Sequence, residues 1–197
     1  VLGGGEVTRR PRAEPRVSLE VDPLQGQPLR RGGLARRASV PGREGARHRL
    51  GGQPPAADVD QGPRDDAHHV VQERIAGESV YNQPAGHLED CETLIDAVIR
   101  ETREETAWHF EPQSVTGIYR WRHPENHETF VRVTFAGKGL FHDPACELDR
   151  SIERTLWLTA EEVRCQPEKL RSPMVLRSID DYLAGSAYPL SLLKNLA

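Results

Sequence analysis

Gly86-His87-Leu88-Glu89-Asp90-Cys91-Glu92-Thr93-Leu94-Ile95-Asp96-Ala97-Val98-Ile99-Arg100-Glu101-Thr102-Arg103-Glu104-Glu105-Thr106-Ala107-Trp108 is the stretch on which the reading of this chain turns. Its middle predicts a helix over 93–106. Leu94, Ile95, Ala97, Val98 and Ile99 make one broad apolar face, and Asp90, Glu92 and Thr93 supply an acidic, capping-type start. Glu101, Glu104 and Glu105 then fall at i, i+3 and i+4, so three carboxylates project from one stripe. Like charges at that spacing repel and weaken a helix. By itself such a stripe is commonly a solvated surface face. A hard divalent cation would remove the repulsion, because it binds several carboxylate oxygens and keeps room for water and phosphate. Arg100 stands next to Glu101, where it can orient a carboxylate. Upstream, Pro84-Ala85-Gly86-His87 is a loop whose glycine lets the backbone come close to a ligand.

Working outward, His68–Gln72 and Ser79–Asn82 predict short strands on either side of the turn-prone Ala76-Gly77-Glu78. Downstream, 114–122 and 129–135 have the β-branched and aromatic content of a hairpin around His123-Pro124-Glu125-Asn126-His127. Thr155–Leu158 reads as another strand. Thr159 and Glu162 form a capping box for a short helix. A last amphipathic helix is expected over 172–183, with Pro173 in its first turn and Gly185 past its end. Short strands around two or three helices make the fold class α/β or α+β.

Gly86, five residues, Glu92, seven residues, Arg100-Glu101, two residues, Glu104-Glu105, two residues and Trp108 together resemble the Nudix hydrolase signature. The flanks Tyr81–Glu89, Leu170-Arg171-Ser172-Pro173 and Tyr188-Pro189-Leu190 are similar to a phosphatase subgroup of that family, over about residues 70–192. The resemblance implies an α/β/α sandwich with a mixed sheet, and Mg2+- or Mn2+-dependent cleavage of a phosphoanhydride. Carried over by position, Glu101, Glu104 and Glu105 are the metal-binding catalytic acids, one of them doubling as the base, and the main-chain oxygen of Gly86 completes the shell. Arg100 holds a glutamate in place, and Glu92 braces loop and helix. The subgroup implies hydrolysis of nucleoside di- and triphosphates or of the pyrimidine pyrophosphate precursor of thiamine. ADP-ribose or dinucleotide polyphosphate pyrophosphatases, and a nucleotide-binding module without turnover, are the alternatives.

Gln83, Gly86 and Arg171 are the substrate-binding candidates, and Asp149 or Glu153 is the candidate for a further acid at the metal. Tyr119 and Trp121 alternate with Arg120 and Arg122 and could stack on a base, although core packing is the commoner use of such rings. His123 and His127 are expected to be exposed in their turn. Two positions depart from the family pattern. Ala107 replaces a glycine that ends the helix in a left-handed turn, at a cost of about 1 kcal/mol. Thr102 replaces a bulky apolar residue, which thins the packing behind the acids.

The front of the chain differs from the rest. Residues 1–66 of the 197 contain no Phe, Trp, Tyr, Ile, Lys or Met, and they hold 12 Arg, 11 of the 17 Gly and 8 of the 15 Pro. We expect residues 1–67 to be irregular, either a disordered extension or GC-rich coding sequence read out of frame, and residues 68–197 to be the catalytic domain. Residues 41–66, where the family's first strand would lie, offer only isolated branched residues, so an out-of-frame front would leave the sheet without that strand. The net charge of −4 argues against a nucleic-acid polymer as partner. No run of 18 apolar residues exists to span a membrane, and no signal-peptide pattern opens the chain. Cys91, Cys146 and Cys165 are too scattered for a disulfide or zinc framework, which points to a reducing cytoplasm. The expected partner is a small pyrophosphate compound, bound by a monomer or dimer.

Overall fold

A computed structural model describes the backbone of residues 16–23 and residues 67–196 in full. In chain order the elements are β1 (Arg16–Pro23), β2 (Ala67–Ile75), β3 (Glu78–Asn82), β4 (Ala85–His87), α1 (Leu94–Thr106), β5 (Trp108–Arg122), β6 (Thr129–His142), β7 (Ile152–Thr159), α2 (Ala160–Arg164), α3 (Pro173–Leu183) and β8 (Tyr188–Pro189). They form a mixed five-stranded sheet, β4-β1-β6-β5-β8, and an antiparallel three-stranded sheet, β3-β2-β7. Among the strand pairings of the described residues, β1–β6 is parallel and the others are antiparallel. The fold is α+β, as expected.

Within the stretch expected to be irregular, the structure differs at Arg16–Pro23, which forms β1 between β4 and β6. The sheet therefore has its first strand, drawn from well before the 41–66 window. Arg16-Val-Ser-Leu-Glu-Val alternates polar and branched residues with period two, the pattern of a strand. Residues 1–15 and 24–66, to which the rest of that expectation applies, lie outside the described residues.

Helix α1 starts where its sequence predicts. Thr93 is the N-cap: its hydroxyl accepts from the Asp96 N–H, and the Asp96 carboxylate accepts from the Thr93 N–H. The helix ends on Ala107 at φ +59°, in the left-handed region, with its N–H donating to the Arg103 carbonyl at 2.8 Å. Ala97 and Val98 pack on Phe110, Val115, Val133 and Phe135, which centres one core on β5 and β6. Thr102 is fully buried, and its hydroxyl donates to the Val98 carbonyl at 2.6 Å, so no polar atom is orphaned by the departure from an apolar residue.

A second core gathers Val70, Tyr81, Leu156, Leu158, Val163, Val175 and Ile179 under α2 and α3. Both helices carry the expected caps, Thr159 with Glu162 and Ser172 with Pro173 behind it. Gly185, at φ +87°, turns the chain after α3. The segment before α3 is tied to β3 by a parallel bridge, Tyr81 to Leu170, and by the Arg171 N–H donating to the Tyr81 carbonyl at 2.9 Å. That tie places Arg171 beside the open end of α1. Among the described residues no helix is long and apolar enough to cross a membrane.

Candidate active site

Arg100 is the hub from which the site is built. Its Nε and Nη2 donate to the two oxygens of Glu92 at 3.1 and 2.7 Å, a bidentate fork. Its Nη1 donates to Glu101 at 2.6 Å and to Glu104 at 3.1 Å, and Nη2 also reaches the His87 carbonyl at 3.1 Å. One guanidinium thus joins the β4 loop to the acidic stripe. Glu92 in turn accepts from the Glu89 N–H at 2.7 Å, which braces the loop. The Arg100 fork holds the Glu92 carboxyl below the usual range, and Glu92 above all keeps Arg100 charged.

Beyond this hub opens a cleft of about 600 Å³ between α1, β2 and the β4 loop. Glu101, with its side chain 12% exposed, and Glu105, 8% exposed as a residue, line it. Glu105 accepts from the Ala85 N–H at 2.9 Å. Burial pushes its carboxyl up to about 9, with the neighbouring Glu73 and Glu101 adding to the rise. Glu101 is raised too, chiefly by burial, against the pull of Arg100. Gly86 stands so close that a Cβ there would overlap the Glu101 carboxylate.

The structure brings Gly86, Glu101, Glu105, Arg171 and Asp149 into this cleft and leaves Glu104, Gln83 and Glu153 out of it, with Arg100 behind its acids. Glu104 does not line the cleft: its side chain is 54% exposed, turned to Arg100, and faces a separate hollow with Asp96, Ile99 and Arg103. Gln83 is fully buried against α3, where its Oε1 accepts from the Ser178 hydroxyl at 2.8 Å. The preceding Asn82 faces the cleft instead, because successive side chains at the end of a strand point opposite ways. Glu153 is bound to Gln72, Ser79 and Arg74 on the three-stranded sheet. Of the two candidate further acids, only Asp149 faces the cleft. The Ser151 N–H and hydroxyl, both at 2.7 Å, hold it ionised below the usual range. His127 is exposed at φ +60°, as anticipated for the turn, while His123 is half-buried and accepts from the Glu125 N–H at 3.2 Å.

Two charged residues in the cleft escaped the sequence reading. Glu73, 4% exposed, is ion-paired with Arg171, and its Oε1 is buried without a hydrogen-bond partner. Arg132, 3% exposed, extends from β6 into the same space. Burial, then the nearby Arg171, pull its guanidinium well below the usual arginine range. Period-two spacing carried the signal for both. Glu73 follows Val71 on one strand face, and Arg132 alternates with the half-buried Val131 and the core residue Val133.

The donor set suits a hard divalent cation: carboxylate oxygens crowded in a poorly hydrated cleft, one of them orphaned, with a backbone edge pressed against them. Among the described residues no three acid, histidine or cysteine side chains converge on one point, so the cage is not closed by the protein alone. Gly86→Ala is expected to push the Glu101 carboxylate aside and lower kcat/KM about 10–100-fold with the fold retained. Steady-state kinetics beside circular dichroism would check it.

The NUDIX domain family model matches residues 63–177, more than half of the chain. The chain belongs to the Nudix family. This Nudix chain is a hydrolase acting on pyrophosphate bonds, and hydrolases of the family generally use divalent metal ions. It is 40% identical over 124 residues to phosphatase NudJ of Escherichia coli K12, covering 63% of this chain and 80% of NudJ, and NudJ of Shigella flexneri gives the same figures. Among solved structures, a NUDIX hydrolase from Nitrosomonas europaea superposes with a TM-score of 0.71 at 32% identity, covering 93% of this chain and 98% of that one. The NUDIX domain of Shewanella oneidensis NrtR, complexed with ADP ribose, shares the fold at a TM-score of 0.54 and 12% identity, over 89% and 94% of the two chains.

Proposed function

We propose that this Nudix hydrolase is a phosphatase of the NudJ kind, dependent on Mg2+ or Mn2+. It releases phosphate from nucleoside di- and triphosphates or from the pyrimidine pyrophosphate precursor of thiamine. The observation that carries this reading is a single cleft lined by two chemistries, the carboxylates of Glu101 and Glu105 and the guanidiniums of Arg132 and Arg171. Acids suit the cation and guanidiniums suit phosphate oxygens. The likeness to NudJ narrows the substrate class.

Glu101, Glu105 and the Gly86 carbonyl would hold the cation, and Glu104 would have to swing from its contact with Arg100 to join them. When bound, it would neutralise phosphate charge and acidify a water molecule. Arg100 aims the Glu101 and Glu104 carboxylates, and Glu92 anchors Arg100. Arg171 exchanges its ion pair with Glu73 for a phosphate oxygen, and Arg132 supports the same charge from β6. Three unpaired thiols suit a reducing cytoplasm.

Phosphate release with Mg2+, and with EDTA as control, tests this on a nucleoside diphosphate, a triphosphate, ADP-ribose and the thiamine pyrimidine pyrophosphate. Orthophosphate from the first two, lost with EDTA, is the expected result. Two monophosphates from ADP-ribose as the main products would move the enzyme to the ADP-ribose pyrophosphatases. Binding without turnover would make it a nucleotide-binding module.

A further inference from the structure

Among the described residues, two acceptor oxygens of side chains lining the cleft receive no hydrogen bond: Glu73 Oε1 and Asn82 Oδ1, both buried. Glu73 is 4% and Asn82 1% exposed. The β2–β3 ladder sets them side by side. Asn82 is paired with Val71, and Glu73 lies two residues along β2 from Val71. The two are therefore diagonal neighbours on one face, roughly 7 Å apart at the backbone. The opposite face of the same ladder carries Val70 and Tyr81 into the second core. A buried acceptor without a donor is costly, and this chain keeps two of them at one spot.

The neighbouring acids are engaged elsewhere. Glu101 accepts from Arg100 and abuts Gly86, and Glu105 accepts from the Ala85 N–H. Glu73 and Asn82 together suit a small molecule with two hydrogens to donate and a lone pair left over. Water is that molecule, and a hydrolase of pyrophosphate bonds must present one to phosphorus. The other oxygen of Glu73 is ion-paired with Arg171, and the partners differ in freedom: the Arg171 side chain is 38% exposed and that of Glu73 6%. A phosphate oxygen entering the cleft draws Arg171 away, while Glu73 stays in place. Glu73 then loses its counter-charge in a poorly hydrated setting and becomes a stronger proton acceptor. Glu101 and Glu105 on α1 and Asp149 before β7 act in the same direction, and Arg132 on β6 acts against it.

We propose that Glu73 and Asn82 seat the attacking water, each accepting one of its hydrogens, and that Glu73 takes a proton from it once Arg171 has turned to the substrate phosphate. The water oxygen forms a bond to phosphorus, its proton passes to Glu73 Oε1, and the anhydride P–O bond breaks with its electron pair leaving on the departing phosphate. This rests on the reading of the cleft as a pyrophosphate-cleaving site. Occupancy and activation are thereby coupled, since the water meets a free base only when phosphate has claimed Arg171.

The experiment compares wild type, Glu73→Gln, Asn82→Leu and Glu101→Gln in steady-state kinetics on the four substrates named above. Mn2+ binding to the substrate-free full chain is followed by electron paramagnetic resonance. Glu73→Gln is expected to lower kcat at least about 100-fold, as for loss of a base, while KM does not rise, because Arg171 no longer has an ion pair to leave. Asn82→Leu lowers kcat about 3–10-fold, the worth of one hydrogen bond, with KM unchanged. Both variants bind Mn2+ within about threefold of wild type, whereas Glu101→Gln weakens it about tenfold or more. A kcat that survives Glu73→Gln reduces Glu73 to a partner of Arg171 and overturns the proposal. A loss of Mn2+ affinity in Glu73→Gln as large as that in Glu101→Gln makes it a ligand of the cation and overturns it too, as does an unchanged kcat in Asn82→Leu. If ADP-ribose is cleaved and the nucleoside phosphates are not, the phosphatase reading fails and the same variants decide the water seat on ADP-ribose. Hydrolysis of none of the four overturns both. Should Glu73→Gln not fold, Glu73→Asp, whose carboxylate is set back by one carbon, is expected to lose about tenfold in kcat at unchanged KM and with Asn82→Leu carries the same decision.

Discussion

Replacing Glu105 by Gln is expected to lower kcat about 10²–10⁴-fold, the range for removing a carboxylate that binds the cation or moves the proton. The same change should stabilise the metal-free chain at alkaline pH. Glu105 is buried near Glu73 and Glu101, and its carboxyl is pushed up to about 9. Between its ordinary value near 4.5 and about 9, the folded chain holds a proton that the unfolded chain releases. Stability therefore falls as pH rises through that window, by at most about 1.4 kcal/mol per pH unit. From pH 6 to pH 8 this amounts to a Tm lower by about 5–10 °C for a chain of this size. In Glu105→Gln a neutral amide occupies the site, the Ala85 N–H keeps an acceptor, and that slope disappears. Saturating Mg2+ or Mn2+ flattens the slope in the wild type as well, because the cation takes the place of the proton. Thermal melts at several pH values, with and without metal, read all of this. A wild-type slope that survives in Glu105→Gln would show that another group carries it.

Arg100→Met is expected to cost about 10–100-fold in kcat/KM and about 2–3 kcal/mol of stability. The first figure is that for residues that orient metal ligands, and the second is set below that of a fully buried pair because Arg100 keeps 24% of its side chain exposed. The guanidinium holds Glu92 by a fork, shares one nitrogen between Glu101 and Glu104, and touches the His87 carbonyl. Removing it leaves these carboxylates to repel one another and frees the β4 loop from the helix. Arg100→Lys cannot reproduce the fork and recovers only part of the activity. The pH signature is opposite to that of Glu105. Glu92 is held below its ordinary value, so its contribution is present above about pH 4.5 and is lost as pH falls through the depressed value. Glu92→Gln in the Arg100→Met background should therefore cost less than Glu92→Gln alone, and a double-mutant cycle by thermal denaturation measures the difference.

These two residues also show what could be read in advance. Arg100 and its neighbouring acids were legible because a helix fixes which residues share a stripe, whatever it packs against. The Thr93 cap, the left-handed Ala107, the Thr159–Glu162 box and the Ser172-Pro173 start are equally local, and each stands where its sequence predicts. Glu73 and Arg132 were missed for the opposite reason. Each is an unremarkable charge in a strand, and it becomes part of the cleft only because the two sheets bring β2 and β6 up to the β4 loop. Gln83 was misplaced by one residue, since the end of β3 turns Asn82 toward the cleft and Gln83 toward Ser178. Spacing alone did not distinguish Asp149 from Glu153; in the fold Asp149 faces the cleft and Glu153 is held by Gln72 and Ser79 on β2 and β3.

The sequence by itself determined helix α1, its caps, its acidic stripe and the family, because helix periodicity and capping depend on residues within a few positions of one another. Only the tertiary structure decided the rest. It drew the first strand of the sheet from Arg16–Pro23, left Glu104 outside the cleft that Glu101 and Glu105 line, and set Arg132 and Arg171 in that cleft. Those outcomes depend on strand order and register between segments far apart in the chain, where a shift of one residue reverses which face each side chain occupies.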